Sequence, residues 1–289
     1  MRSVTVLAPA KLNLTLDITG LAENGYHKMD MLMQTVNLYE TVTLRKASDL
    51  TLRLPGSSVP ANQYNTAIKA ALAFFAETGL LAGADITVHK AVPVRAGMAG
   101  GSADAAAVLV GLNALYRARL SNEALCAIGK TVGADVPFAI MGGTARVSGI
   151  GECIRPIAPC PPCWFCVCMP SMGISTPEAY AQYDRVGAKR HPDTDGAEAA
   201  IAKGDLHGMS ACLYNVLQET STSAHNAPIC AALMAQGAKA ALMTGSGAAV
   251  FGVFHAKRDA IAAKLALQKT YPQCWVLRPV PFGAKVQEQ

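Results

Sequence analysis

The residues best suited to chemistry lie in Pro93-Val94-Arg95-Ala96-Gly97-Met98-Ala99-Gly100-Gly101-Ser102-Ala103-Asp104-Ala105-Ala106-Ala107. Glycines without a Cβ let backbone N–H groups come close to a ligand. A helix start adds unpaired donors and the positive end of the helix dipole. A strand pattern over 86–90 and an alanine-rich helix pattern beginning near Ser102 flank the stretch, so it reads as an anion site, most often one for phosphate. The competing reading is a tight strand-to-helix turn. It is not a Walker A loop, because no lysine follows its glycines. Gly129-Lys130-Thr131 carries that ending, but Ala124 stands where the first glycine should be, and Leu125, Ile128 and Val132 make the segment an amphipathic helix. A dinucleotide fingerprint also needs an acidic residue at the end of the next strand, and none is evident.

Cysteine is the other residue type with chemistry to offer. Cys160, Cys163, Cys166 and Cys168 fall within nine residues, and Cys160-Pro161-Pro162-Cys163 has zinc-knuckle spacing. A second ligand pair at a distance is missing, and Trp164 to Met169 reads as a buried strand in which cysteine behaves as a small hydrophobe. The expectation is therefore no metal site. Nine cysteines, an odd number, also argue against a full disulfide set.

The elements that must position these residues follow from periodicity. Leu12, Leu14, Leu16 and Ile18 alternate with Lys11, Asn13, Thr15 and Asp17, which predicts a strand with Lys11 and Asn13 on the face opposite the core. Strands are also expected at 41–45, 50–54, 84–89 and 164–169. Helices are expected at 66–78 with Gly79 as a stop, at 103–116, at 122–132 and at 257–269. A strand pair at 239–243 and 249–254 flanks Gly245-Ser246-Gly247, several helices lie between Pro177 and Gln236, and a last strand falls near 274–278. Strands and helices mix without a strict βαβ rhythm, so the class is α+β. Proline-rich Ala158-Pro159-Cys160-Pro161-Pro162 is the best linker, dividing the chain into 1–158 and 159–289.

Composition narrows the function. Of 289 residues 51% are hydrophobic, yet no run approaches the roughly 18 apolar residues of a membrane span. The start moves directly into a strand pattern without a signal-peptide core, so a cytoplasmic protein is expected. A net charge of +5 is mild and scattered, and Lys189-Arg190-His191 reads as a solvated surface. Nucleic-acid and membrane partners have no support in this pattern, whereas anionic small molecules suit it.

The glycine loop resembles the phosphate loop of the GHMP small-molecule kinases. Ala8-Pro9-Ala10-Lys11-Leu12-Asn13-Leu14 and Met243-Thr244-Gly245-Ser246-Gly247-Ala248-Ala249-Val250-Phe251 match two further signatures of that family. Asn24-Gly25-Tyr26-His27, Gly133-Ala134-Asp135-Val136-Pro137-Phe138 and Ser175-Thr176-Pro177-Glu178-Ala179-Tyr180 are similar to blocks of members acting on a cytidine-diphosphate alcohol. The blocks run in order over nearly the whole chain. The resemblance implies an N-terminal nucleotide-binding domain like ribosomal protein S5 domain 2, a ferredoxin-like C-terminal substrate-binding domain, and a site between them.

It implies roles as well. Asp135 matches the family's general base for the substrate hydroxyl, although capping a local turn is its simpler use. Lys11 would hold Asp135 ionised and orient the same hydroxyl. Pro93, Ala96, Gly97, Met98, Ala99, Gly100, Gly101 and Ser102 would wrap the ATP phosphates, with Mg²⁺ arriving on the nucleotide, and Asn65 and Lys90 match positions near the adenine. Asn13, Tyr26, His27, Thr176, Tyr180 and Gly245 fall to the second substrate, with Tyr26 and Tyr180 as flat faces for a cytosine and His27 at its edge. The chain departs from the family at Met98, Ala99 and Ala103. Ala99 is expected to keep an ordinary negative φ, with Gly97, Gly100 and Gly101 absorbing the unusual dihedrals. A kinase for mevalonate, homoserine or a sugar, and a ligand sensor without catalysis, are the competing functions; Tyr26, His27 and Tyr180 argue against the first, the presence of both Asp135 and Lys11 against the second. A monomer or weak homodimer is expected.

Overall fold

A computed structural model describes residues 2–287 apart from Asn24; Met1, Asn24 and residues 288–289 lie outside it. The chain opens with two long strands, β1 (Ser3–Leu21) and β2 (His27–Ala47), followed by β3 (Thr51–Arg53), α1 (Thr66–Thr78) and β4 (Gly83–His89). Next come α2 (Gly100–Tyr116), α3 (Asn122–Val132), α4 (Val136–Met141), β5 (Thr144–Gly149) and β6 (Cys153–Pro156). The second half holds β7 (Trp164–Met169), α5 (Thr176–Val186), α6 (Thr194–Ala202), α7 (Leu206–Cys212), β8 (Tyr214–Asn215), α8 (Val216–Thr220) and α9 (Asn226–Ala235). It closes with β9 (Ala240–Met243), β10 (Val250–Phe254), α10 (Lys257–Leu267), β11 (Gln273–Leu277) and β12 (Lys285–Val286). The class is α+β, as expected.

Among the described residues the first sheet runs β12-β1-β2-β4-β3, with β5 on β2, β6 on β5 and β8 on β1. β1 and β2 pair antiparallel from Ser3↔Arg45 to Leu21↔His27. Expectation placed a strand only at 41–45 of β2, because Met29, Met31 and Met33 carry none of the β-branched signal of a strand. Helices α1 to α4 cover one face of this sheet. Val6, Val42, Leu44 and Ile86 of the strands are fully buried in one cluster with Phe74 of α1 and Ala105 to Leu109 of α2. Alanine lets α2 sit close to the sheet while still removing its own surface from water.

The opposite face of β1 is not open. Lys11 and Asn13, expected on a face away from the core, are only 6% and 1% exposed. The Asn13 N–H donates to Thr244 Oγ1 at 2.9 Å, and the Lys11 N–H donates to the Met98 carbonyl at 3.2 Å. Two loops distant in sequence thus close over this part of β1. A pattern of period two marks two faces of a strand; it does not say whether the polar one meets water.

The second sheet runs β11-β7-β10-β9, every pair antiparallel. In chain order its strands stand 4-1-3-2, with α9 and α10 in the crossovers, which is the ferredoxin-like arrangement. β7 is central. Phe165 and Val167 pack into one core cluster, Cys166 and Cys168 into another. The chain then returns to the first sheet twice, where β8 pairs β1 at Thr15↔Tyr214 and β12 pairs β1 at Val6↔Val286.

Candidate active site

Helix α2 begins at Gly100, ahead of the expected Ser102, so Gly100, Gly101 and Ser102 form its first turn. They are helical and absorb no unusual dihedral. The expectation for Ala99 is overturned: it is the N-cap of α2 at φ 58°, ψ 31°, in the left-handed region. Of the three glycines credited with that duty only Gly97, at φ 71°, takes it. Ala99 has no side chain to cap the helix, so the first-turn N–H groups are left for a ligand.

The loop is held from behind by 244–249, which joins β9 to β10. Ala248 N–H donates to the Arg95 carbonyl at 3.1 Å and Ala249 N–H to the Ala96 carbonyl at 3.2 Å. The two backbones approach so closely that a Cβ on Gly97 would stand 2.0 Å from the Thr244 carbonyl oxygen. Asn215 fixes the far side by donating to the carbonyls of Met243 and Gly245, both at 2.8 Å.

Asp135 occupies the N-cap position of α4, a helix absent from the expected elements, with Pro137 in its first turn. Its side chain makes no capping bond. Oδ2 instead lies 3.8 Å from Lys11 Nζ, and the carboxylate stays about one-third exposed to the cleft. Lys11 Nζ also donates to Asn13 Oδ1 at 2.5 Å. Burial draws the Lys11 pKa down, against the pull of Asp135. The result is a desolvated amine held beside a reachable carboxylate.

On one side of that pair lies an aromatic pocket. The His27 and Tyr180 rings sit 4.9 Å apart at 34°. His27 Nε2 is 2.6 Å from Asp184 Oδ1, a partner that sequence reasoning missed. Burial and the nearby Asp135 push the Tyr180 phenol up, so it remains protonated, and its hydroxyl donates to Met29 Sδ at 3.6 Å. Thr176 and Ser246 are joined through their hydroxyls at 2.9 Å, tying α5 to the 244–249 loop, and Tyr26 stands exposed at the rim.

On the other side are Asn65 and Lys90. Both were also compatible with exposed element ends, but both turn inward. Asn65 caps α1 through its side-chain oxygen to the Ala67 N–H at 2.9 Å and donates to the Pro60 carbonyl. Lys90 Nζ is 2.5 Å from Glu40 Oε1 and 2.7 Å from Asp104 Oδ2. Burial works to lower the Lys90 pKa, but the two carboxylates outweigh it and raise it. Glu40 and Asp104 were not singled out from the sequence. Asp104 lies within the glycine stretch, and a charged residue amid alanines was the available signal.

One cavity of about 890 Å³ runs through all of this. Its lining includes Lys11, Asn13, Tyr26, His27, Asn65, Lys90, Pro93, Ala96, Gly97, Met98, Ala99, Gly100, Gly101, Ser102, Asp135, Thr176, Tyr180 and Gly245, every candidate named from the sequence. Arg95, Asp104 and Ser246 line it as well. Among the described residues no three His, Cys, Asp or Glu side chains converge as a metal cage, and no helix is long and apolar enough to cross a membrane. A cleft of this size has room for more than one small ligand, with N–H donors at the α2 start and aromatic rings at the other end.

The description "GHMP kinases N terminal domain" matches residues 65–143, and "GHMP kinases C terminal" matches 197–273. A 4-diphosphocytidyl-2-C-methyl-D-erythritol kinase of Carboxydothermus hydrogenoformans is 40% identical over 283 residues, 96% of this chain and 97% of that protein. One from Brevibacillus brevis is 41% identical over 254 residues, covering 86% and 87%. A solved 4-(cytidine 5'-diphospho)-2C-methyl-D-erythritol kinase superposes with a TM-score of 0.81 at 30% identity, over 95% of this chain and 98% of that one. A homoserine kinase from Cytophaga hutchinsonii shares the fold at a TM-score of 0.80 with 17% identity. Fold and site therefore define a GHMP kinase, a small-molecule phosphotransferase of two domains. Within that class the chain belongs to the 4-diphosphocytidyl-2-C-methyl-D-erythritol kinase family.

Proposed function

We propose that the chain transfers the γ-phosphoryl group of ATP to the 2-hydroxyl of 4-diphosphocytidyl-2-C-methyl-D-erythritol, a step of non-mevalonate isoprenoid precursor biosynthesis. The observation that carries the reading is the Lys11–Asp135 pair, 3.8 Å apart, in a cleft whose two ends differ in chemistry. The end at the α2 start offers N–H donors and suits phosphates. The end with Tyr26, His27 and Tyr180 suits a cytosine. A hydroxyl carried by the second ligand then falls beside Asp135.

Phosphoryl transfer asks for positioning, charge neutralisation and a proton acceptor. Asp135 accepts the hydroxyl proton, and Lys11 orients that oxygen and offsets charge on the transferred group. Residues 93–102 hold the nucleotide phosphates, with Asn65 and Lys90 toward the adenine. Asn13 anchors Lys11, while Thr176 and Gly245 shape the far wall. Mg²⁺ would be carried by the nucleotide phosphates and would neutralise charge on the transferred group, which suits a cleft where no carboxylate cage forms among the described residues. Residues 1–158 serve as the nucleotide-binding domain and 159–289 as the substrate-binding domain. We assign the reaction to the cytoplasm and to a monomer or weak homodimer.

A coupled assay with ATP and a panel of alcohols tests the substrate. Asp135→Asn should fold and bind both substrates yet lose about 10²- to 10⁴-fold in kcat. Near-normal turnover by that variant would remove Asp135 from the mechanism.

A further inference from the structure

Under the α2 end of the cleft, one ammonium serves two almost wholly buried carboxylates. The Lys90 ammonium meets Glu40 and Asp104, whose side chains are 0% and 4% exposed. The second Glu40 oxygen accepts the Ala91 N–H at 2.8 Å. The second Asp104 oxygen, Oδ1, is buried and has no partner, although Asp104 lines the cleft. With all three groups ionised the cluster carries one uncompensated negative charge beside the place assigned to the phosphates. A buried, unpaired charge of that kind is resolved most cheaply by taking up a proton.

Resting on the nucleotide reading of this end, we propose that Asp104 is a proton-binding positioning residue, and that nucleotide and proton bind this cluster together. Protonation at Oδ1 leaves Oδ2 to accept from Lys90, cancels the excess charge, and turns the orphaned oxygen into a donor. No bond other than O–H forms, and the proton comes from solvent. An incoming polyphosphate disfavours the ionised form further, so each ligand raises the affinity of the other.

The charged groups acting on Asp104 are Lys90 at the end of β4 and Glu40 on β2. At the start of α2 the uncharged Thr66 hydroxyl of α1 donates to the Gly101 carbonyl. Burial raises the Asp104 pKa to about 7 against the pull of Lys90, and Glu40 adds to the rise. Burial raises Glu40 as well, again against Lys90. The titration thus falls in the range where enzymes work.

Calorimetric titration with ATP and Mg²⁺, from about pH 6 to about pH 8.5 in buffers of different ionisation enthalpy, counts protons taken up per nucleotide. Wild-type protein should take up a substantial fraction of one proton, with ATP affinity falling by up to about tenfold per pH unit above neutrality. Asp104→Asn keeps the shape without the titration. It should bind ATP with only the pH dependence of the nucleotide itself. Parallel profiles in the two proteins would overturn the proposal and leave the nucleotide reading standing, whereas absence of ATP binding at every pH would overturn both. If the variant does not fold, ¹³C carboxyl titration of the wild type decides. One aspartate titrating near neutrality and moving upward with nucleotide supports the proposal, and all aspartates titrating below about pH 5 refute it.

Discussion

Ala99 shows how much a single methyl group can reveal. A left-handed conformation costs an L-residue roughly 1–2 kcal/mol relative to its preferred wells, and Ala99 at φ 58° carries that cost. Ala99→Gly should therefore stabilise the protein by about 1 kcal/mol, after the extra freedom glycine gives the unfolded chain. ATP should bind at least as tightly, because the N–H groups of the first turn stay in place. A melting curve paired with an ATP titration measures both; a fall in melting temperature would contradict the strained conformation. Tyr26 offers a complementary test at the other end. It is 64% exposed, so Tyr26→Ala should fold normally. The KM for a cytidine-diphosphate alcohol should rise about tenfold, in line with stacking contributions of about 1–3 kcal/mol, while the KM for ATP changes less than about twofold. A rise confined to ATP would place Tyr26 at the wrong end of the cleft. Residue identities made these candidates legible, whereas the sign of φ at Ala99 was not. Three neighbouring glycines offered several ways to turn the loop, and the early helix start used up two of them.

At the scale of elements, the site depends on two loops packed backbone to backbone. Gly97 combines a φ of 71° with a Cβ direction blocked at 2.0 Å by the Thr244 carbonyl oxygen. Gly97→Ala must push loop 93–99 away from loop 244–249, at a cost of about 2–3 kcal/mol. Because the same junction shapes both ends of the cleft, the variant should raise KM for both substrates, unlike Tyr26→Ala. Unchanged melting temperature and kinetics would show that the junction yields freely. Helices α1 and α3 were legible to the residue, since Asn65 and Ser121 cap their starts and Gly79 ends α1 in a left-handed turn. Helix α4 was not, because six residues hold too little of a helical period, and Gly133 and Pro137 read as a turn.

For the molecule as a whole, the central strand β7 decides the fate of the cysteine cluster. Cys166 and Cys168 face one core, while Cys160 and Cys163 pack into the other. Burial raises the Cys166 thiol to about 12, and the hydrogen bond between Cys163 and Cys160, together with burial, raises the Cys163 thiol as well. Split between two cores, the two pairs do not converge on one ion, and among the described residues no third ligand joins either pair. Elemental analysis should find no stoichiometric zinc, and a chelator should leave the melting curve unchanged. One tightly held zinc per chain, with unfolding on its removal, would instead make the cluster a structural site.

The sequence by itself determined the local pieces: the glycine stretch leading into an alanine-rich helix, the period-two strand carrying Lys11 and Asn13, and most helix limits. Caps, glycine stops and residue type act over a few positions, so they survive without the rest of the chain. The tertiary structure alone decided what these pieces meet. It buried the polar face of β1, turned Asp135 from a capping role toward Lys11, set Asp184 behind His27, and gathered Glu40, Lys90 and Asp104 from three elements around one charge. Each of these depends on groups tens to hundreds of residues apart coming within hydrogen-bond or Coulomb reach, at a strength set by burial, and no local pattern encodes that distance or that loss of water.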